Sequence, residues 1–352
     1  MIDVYPFDLP LATPYRWSKG TQHSRAGLIF RVTLDGAVGW GETAPPPHLP
    51  VDGEKLKGEA LDVLKDLDPY REDFIGRLDE RTPAPRIRTG ITTAWIAAKA
   101  AAEGLSFAEY LGKGWRQPVT QVPVNGLVGE ADPAAVVERC GQIWDQGIRT
   151  FKIKCTDDHA LDDQRVAAIR AAFPDATLRL DPNEAWTPEN MLSRLEHMSQ
   201  HEIQYCEEPI PSAYTLANLD RCARLREQSP IPIALDQSVT STEITKRIID
   251  AKAADVLILK SQAMGGFDHA VEIIRLGEAA GILSVMTSSL ETAVGLTASL
   301  HGAAILPPPL PACGLSLGRF YARDIAVKPE IDNGIMQVPA GPGLGLSSVD
   351  LT

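Results

Sequence analysis

From Thr150 onward the chain repeats one pattern. Short β-like runs begin at residues 150 (TFKIKC), 177 (TLRLDPN), 203 (IQYCEEP), 231 (IPIALDQ), 256 (VLILKSQ) and 283 (LSVMTSS), with successive starts 25 to 28 residues apart. Between them lie stretches such as DDQRVAAIRAAF and GFDHAVEIIRLGEAAG, whose apolar residues recur at the three- and four-residue spacing of an amphipathic helix. Such repeats predict a parallel sheet, because a parallel neighbour requires a crossover long enough to hold a helix. VPVNGL at 122 fits as an earlier strand and PACGLS at 311 as a last one. Seven or eight units predict a closed α/β barrel rather than an open doubly wound sheet. No GxGxxG follows any run, which weighs against dinucleotide binding.

The N-terminal third is written differently. AGLIFRVTLDGAVGWGE reads as two strands turning at Asp35-Gly36. Helical stretches follow, including TTAWIAAKAAAEGLSFAEYLG. Strands and then helices predict an α+β domain apart from the barrel. A length of 352 residues accommodates both. The net charge of −12 argues against a nucleic-acid or anionic-membrane partner. No run approaches the roughly 20 apolar residues of a membrane span, and MIDVYPFDLP lacks the basic and apolar regions of a signal peptide. The five cysteines form no CxxC pair, and they read as reduced thiols in a cytoplasmic protein.

Charged residues punctuate the repeat. In TFKIKC, Lys152 and Lys154 share one face and Phe151 and Ile153 the other. On a surface strand the lysines would face solvent, but a barrel strand is covered on both sides, so they point into the barrel or its rim. Lys154, Asp181, Glu207, Asp236 and Lys260 end five consecutive runs. In this architecture active sites are built at the C-terminal ends of the strands. Three carboxylates from separate strands suit a hard divalent cation such as Mg²⁺ rather than zinc. A lysine beside a metal and a second cation can have a lowered pKa and serve as a base. The combination reads as proton abstraction beside a substrate carboxylate held by the metal, through an enediolate.

FKIKC, RLDPNEAW, YCEEPIP, ALDQS and LKSQAMGG, with GWGETAPPP near the N-terminus, resemble the successive motifs of the enolase superfamily, muconate-lactonising-enzyme subgroup. SSLETAVGL (288–296) and LPACGLSLGRFYARDI (310–325) resemble the o-succinylbenzoate synthases within it; an acidic motif usual near the last strand of cycloisomerases and dipeptide epimerases is missing from PACGLS. The resemblance implies a (β/α)7β TIM-like barrel over 118–325, an α+β capping domain over 1–117, and a segment over 326–352 returning to the cap. It implies Asp181, Glu207 and Asp236 as ligands of Mg²⁺, with Mn²⁺ as a substitute. Lys154 resembles the base and Lys260 the opposite lysine that supports the enediolate. Lys152, Ser288, Ser289 and Glu291 resemble substrate contacts, and Asn183 a residue behind the metal. Glu207 is preferred to its neighbour Glu208 by its place in E-[EQ]-P. Gln237 stands where the family usually has a glutamate.

The implied reaction is Mg²⁺-dependent syn-dehydration of 2-succinyl-6-hydroxy-2,4-cyclohexadiene-1-carboxylate to o-succinylbenzoate, a step of menaquinone biosynthesis. N-succinylamino acid racemisation, muconate cycloisomerisation and dipeptide epimerisation are the alternatives within the superfamily. A binding protein on an enzyme scaffold and a phosphate-binding barrel are the alternatives outside it. The expected partner is a small carboxylate; self-association is left open. Ser288, Ser289 and Glu291 could equally cap a helix. Arg25 is placed in a loop that closes over the site in this fold, although an arginine there is more commonly a surface residue. His23 and His48 are weaker candidates, and specificity is assigned to the cap loops around 15–25 and 45–55.

Overall fold

The computed structural model describes residues 1–17, 20–46, 51–316 and 320–351. Three antiparallel strands open the chain: β1 (Ile2–Trp17), β2 (Gly20–Leu34) and β3 (Ala37–Thr43), in that order across the sheet. Asp35 and Gly36 both have positive φ, at 48° and 85°, as a tight two-residue hairpin turn requires. Leu34 therefore pairs with Ala37. The reading of the sequence did not single out β1, whose run is interrupted by Pro6, Pro10 and Pro14. Proline gives no N–H to a ladder and is tolerated on an edge strand, and β1 is at the edge.

Four helices follow: α1 (Gly53–Leu64), α2 (Phe74–Asp79), α3 (Pro85–Ala102) and α4 (Phe107–Gly112). The stretch TTAWIAAKAAAEGLSFAEYLG is thus two helices. Gly104, at φ 72°, turns the chain after α3, and Ser106 and Glu109 form a capping box that starts α4. α3 lies directly on β3. A Cβ added at Gly39 would fall 2.1 Å from the Ala94 carbonyl, and one at Gly41 2.1 Å from that of Gly90.

The barrel comprises β5 (Gly126–Val128), β6 (Thr150–Lys154), β7 (Thr177–Asp181), β8 (Ile203–Glu207), β9 (Ile233–Leu235), β10 (Val256–Leu259) and β11 (Leu283–Met286), all parallel neighbours in sequence order. The intervening helices are α5 (Pro133–Asp145), α6 (His159–Ala172), α7 (Met191–Met198), α8 (Ser212–Ala217), α9 (Leu219–Gln228), α10 (Thr242–Asp250), α11 (Ser261–Met264) and α12 (Phe267–Ala279), and α13 (Ala293–Ala303) follows β11. Cys313 and Gly314 close the barrel: one bridges Val124 and the other Thr287, both in parallel. The two-sided coverage expected of a barrel strand is visible as two cores. Tyr205, Ala234, Val256, Ile258 and Val285 pack inside. Phe151, Ile153, Leu178, Leu180, Leu257 and Leu259 belong to the large outer core with the helices.

VPVNGL is divided rather than being one barrel strand. Its first half lies in β4 (Gln121–Pro123), which pairs antiparallel with β13 (Ile335–Gln337) in a small sheet completed by β12 (Ile331–Asp332). The second half joins the barrel, Val124 through its bridge to Cys313 and the residues from Gly126 as β5. The C-terminal segment also reaches the N-terminal third, where the Gly343 carbonyl accepts from the Phe107 N–H at 2.7 Å. Among the described residues no helix is long and apolar enough to cross a membrane, and all five cysteines are free.

Candidate active site

The ladder β6–β7 places Lys154 opposite Asp181, at the ends of their strands. Lys154 Nζ lies 2.6 Å from Asp181 Oδ2 and 2.6 Å from Asn183 Oδ1. Lys152, one layer deeper, donates to Glu207 Oε1 at 2.6 Å and sits 3.0 Å from Asp181 Oδ2. Across the mouth, Lys260 donates to Asp236 Oδ2. The structure thus brings six residues to one end of the barrel: Lys152, Lys154, Asp181 and Glu207 are joined by ion pairs, and the separate Lys260–Asp236 pair lies close enough for its charges to act on Glu207. The carboxylates form the floor, with side chains 1–2% exposed, and Lys154 and Lys260 reach upward, 34% and 28% exposed. Backbone shape helps. Asn183 adopts φ 51°, a conformation asparagine tolerates well, and its N–H returns to Asp181 Oδ1 at 3.0 Å.

The adjacent glutamates separate cleanly. Glu207 faces the lysines, whereas Glu208, at φ 35°, turns its carboxylate to the Asp236 N–H (2.7 Å) and the Ser238 hydroxyl (2.6 Å). Glu208 therefore fixes the chain on which Asp236 is mounted. Burial pushes its carboxyl up to about 8, its hydrogen bonds only partly opposing this. Burial also raises Glu207; Lys152 opposes the shift, and repulsion from Asp181 and Asp236 adds to it. At Asp181 burial is outweighed by Lys152 and Lys154, which hold it well below the ordinary range. Burial would lower the Lys260 ammonium, but the charges of Asp236 and Glu207 and the hydrogen bond to Asp236 together more than offset this and keep it raised.

These residues suit a hard divalent cation. The donors are all oxygen, they come from three consecutive strands, and Glu207 Oε2 is buried with no hydrogen-bond partner among the described residues. Among the described residues no three His, Cys, Asp or Glu side chains converge as a ready-made cage. The reason is visible in the contacts above: lysine ammonium groups hold oxygens that a cation would need.

The loop after β11 brings its residues to the Lys260 side. Glu291 is buried, with Oε2 accepting from the Ser289 N–H at 2.6 Å and Oε1 without a hydrogen-bond partner among the described residues. Burial raises its carboxyl, and the charges of Arg25 and Lys260 oppose the shift. Ser288 Oγ accepts from the Leu290 N–H, so it shapes this turn, and the cap of α13 is Thr292 rather than either serine. Arg25 is not in a loop. It lies within β2 opposite Leu9, is 3% exposed, and reaches the Pro45 and Ser289 carbonyls at 2.6 and 3.4 Å. It thus joins the cap to the β11 loop. His23 is also in β2; His48, and parts of both cap loops assigned to specificity, lie outside the described residues. Gln237 Oε1 is buried without a hydrogen-bond partner among the described residues.

The sequence reading missed Arg179, Glu42 and Gln262. Arg179 is the register partner of Lys152 on β7, its guanidinium 4.7 Å from the centre of the Tyr205 ring and bonded to the Ala312 carbonyl. Its alternation with Asp181 along β7 was the available signal. Glu42 and Gln262 meet across the cap–barrel seam, 220 residues apart in sequence, and carry no local pattern.

The family model described as "Enolase C-terminal domain-like" matches residues 135–350. The chain is 35% identical over 231 residues to the o-succinylbenzoate synthase of Thermobifida fusca (strain YX), covering 64% of this chain and 69% of that protein. It is 30% identical to the N-succinylamino acid racemase of Thermus thermophilus, covering 96% and 92%. The fold matches the muconate lactonizing enzyme of Pseudomonas fluorescens, solved with muconolactone, at TM-score 0.86 and 25% identity, covering 99% of this chain and 96% of that one.

Proposed function

Because the chain belongs to the enolase C-terminal domain-like family, we propose that it removes the proton next to a substrate carboxylate, with Lys154 as base. It falls in the muconate-lactonising-enzyme subgroup of the enolase superfamily, close to the o-succinylbenzoate synthases. The proposed reaction is dehydration of 2-succinyl-6-hydroxy-2,4-cyclohexadiene-1-carboxylate to o-succinylbenzoate. The observation that supports it is the pair of lysines on opposite sides of three buried carboxylates, at the ends of five consecutive strands.

Asp181, Glu207 and Asp236 would hold Mg²⁺ or Mn²⁺. Bound there, the cation supplies positive charge that offsets the second negative charge of the enediolate. Neutral Lys154 takes the ring proton beside the carboxylate, and the electron pair moves into the enediolate. The ring then expels hydroxide from the neighbouring carbon, and the Lys154 ammonium returns its proton to form water, so both events use one face. Lys260, as an ammonium on the other side, faces the accumulating charge. Asn183 orients Lys154 toward the mouth, and Lys152 keeps two carboxylates compensated in a dry floor. Aromatisation drives the second step.

Loss of the diene's ultraviolet absorbance tests this. It should be fast with Mg²⁺, stop with chelator, and fall by about 10³-fold or more in Lys154→Ala, a loss on the order expected for a general base. No turnover by cation-loaded wild type would reject this substrate. A second reading, racemisation of N-succinylamino acids, is favoured by the similar exposure of the two lysines, since a racemase needs an acid/base on each face. Lys260→Ala should abolish racemisation and leave a trace of dehydration. Equal loss of both would contradict the division of labour.

A further inference from the structure

We infer that Gln262 is a positioning residue that sets the register of Lys260 by completing the free edge of cap strand β3. The inference rests on the reading of Lys260 as a group that acts on the substrate. Among the described residues β3 pairs with β2 on one side only. On its other edge, the N–H of Ala44 and the carbonyl of Glu42 flank Thr43. Gln262 Oε1 accepts from Ala44 N at 3.0 Å, and Gln262 Nε2 donates to the Glu42 carbonyl at 2.8 Å. One side-chain amide thereby supplies the donor and acceptor that a fourth strand would offer. Gln262 is 7% exposed, so water is a poor substitute for either bond.

Lys260 is two residues away, at the N-terminus of α11. The same short segment is held from the cap at two further points. Thr89 Oγ1 donates to the Ser261 carbonyl at 2.7 Å, and Arg88 Nη1 to that of Gly265 at 2.6 Å. The neighbouring loop is referenced to the same piece of β3. The carboxylate of Glu42 accepts from the Thr292 N–H at 2.9 Å and the Gly295 N–H at 2.9 Å, just after Glu291. Thr89 and Arg88 bind only main-chain carbonyls in the segment. Gln262 is the member whose own side chain reaches back, and its two bonds fix both distance and orientation. A lysine that slides relative to the substrate loses transition-state contact while ground-state binding through other groups persists. The deficit should therefore fall on kcat.

Gln262→Met keeps the volume and removes both bonds; Gln262→Ala removes both and the volume. In Gln262→Met, kcat should fall about ten- to a hundredfold with KM within about twofold, the scale expected when a reacting group is misplaced. Amide exchange in residues 259–266 should accelerate while β6 to β8 keep their protection, and the melting temperature should fall because two buried backbone groups lose their partners. Wild-type kcat and wild-type exchange in Gln262→Met would overturn the inference, whatever Gln262→Ala does. Should the wild type turn over neither the cyclohexadiene carboxylate nor an N-succinylamino acid, the proposed function fails, and exchange alone decides the positioning role. Faster exchange at 259–266 then supports it, and unchanged exchange contradicts it.

Discussion

Lys152 and Lys154 are two residues apart and meet the same oxygen of Asp181, yet their surroundings assign them different work. Lys152 is 11% exposed and shared between Asp181 and Glu207; Lys154 is 34% exposed and opens to the mouth. Removing Lys152 leaves two buried carboxylates short of a counter-charge. Lys152→Met should therefore destabilise the cation-free protein by about 3–5 kcal/mol in urea denaturation. Mg²⁺ should recover much of that loss; equal loss with and without Mg²⁺ would contradict a shared carboxylate floor. Glu42 offers a test through pH. Burial raises its carboxyl from 4.5 to about 8, Thr292 opposes the shift, and nearby Glu291 adds to it. The folded state thus retains a proton the unfolded chain has lost. The associated stability is complete below pH 4.5 and disappears as pH rises through 8. Wild-type stability should fall across that window relative to Glu42→Gln, by at most about 1.4 kcal/mol per pH unit. Parallel stability curves for the two proteins would reject a buried neutral Glu42. The five strand-end residues were legible because a barrel strand has no solvent side to receive a charge. Glu42 and Gln262 were not, because their partners lie across the seam and neither sits in a periodic pattern.

At the scale of elements, the spacing of β-like runs located β6 to β11 within two residues, because those strands are short, apolar and bounded by helices. It failed where pairing rather than composition decides. VPVNGL has one hydrophobic pattern but two partners: β13 takes Gln121–Pro123 and β6 takes Gly126–Val128. β1 escaped notice because its prolines interrupt the strand pattern, and only its place at the sheet edge makes them harmless. The packing of α3 on β3 leaves no room for a side chain. Gly41→Ala would press a methyl group against the Gly90 carbonyl and the Ala94 nitrogen, at 2.1 and 2.6 Å before relaxation. We expect it to destabilise the protein by about 1–3 kcal/mol. Because β3 also carries Glu42 and the contacts of Gln262, kcat should drop in the protein that remains folded. A stable, fully active Gly41→Ala would contradict this packing.

In the whole molecule, the cap and barrel form one machine at their seam. Gln262, Arg88, Thr89 and Glu42 tie the cap to the two barrel loops beside Lys260, and Arg25 reaches from the cap to Ser289. The C-terminal segment adds a third tie. Buried His301 accepts from the Ala108 N–H and donates to the Leu344 carbonyl, so α13, α4 and the chain end share one ring. The carboxylate floor can be tested without knowing the substrate. The decisive measurement is a calorimetric titration of the cation-free protein with Mg²⁺, repeated on Asp236→Asn. Saturable binding by the wild type, with a rise in melting temperature that Asp236→Asn abolishes, is the expected result. No response at millimolar Mg²⁺, or unchanged binding by Asp236→Asn, would contradict a cation held by Asp181, Glu207 and Asp236.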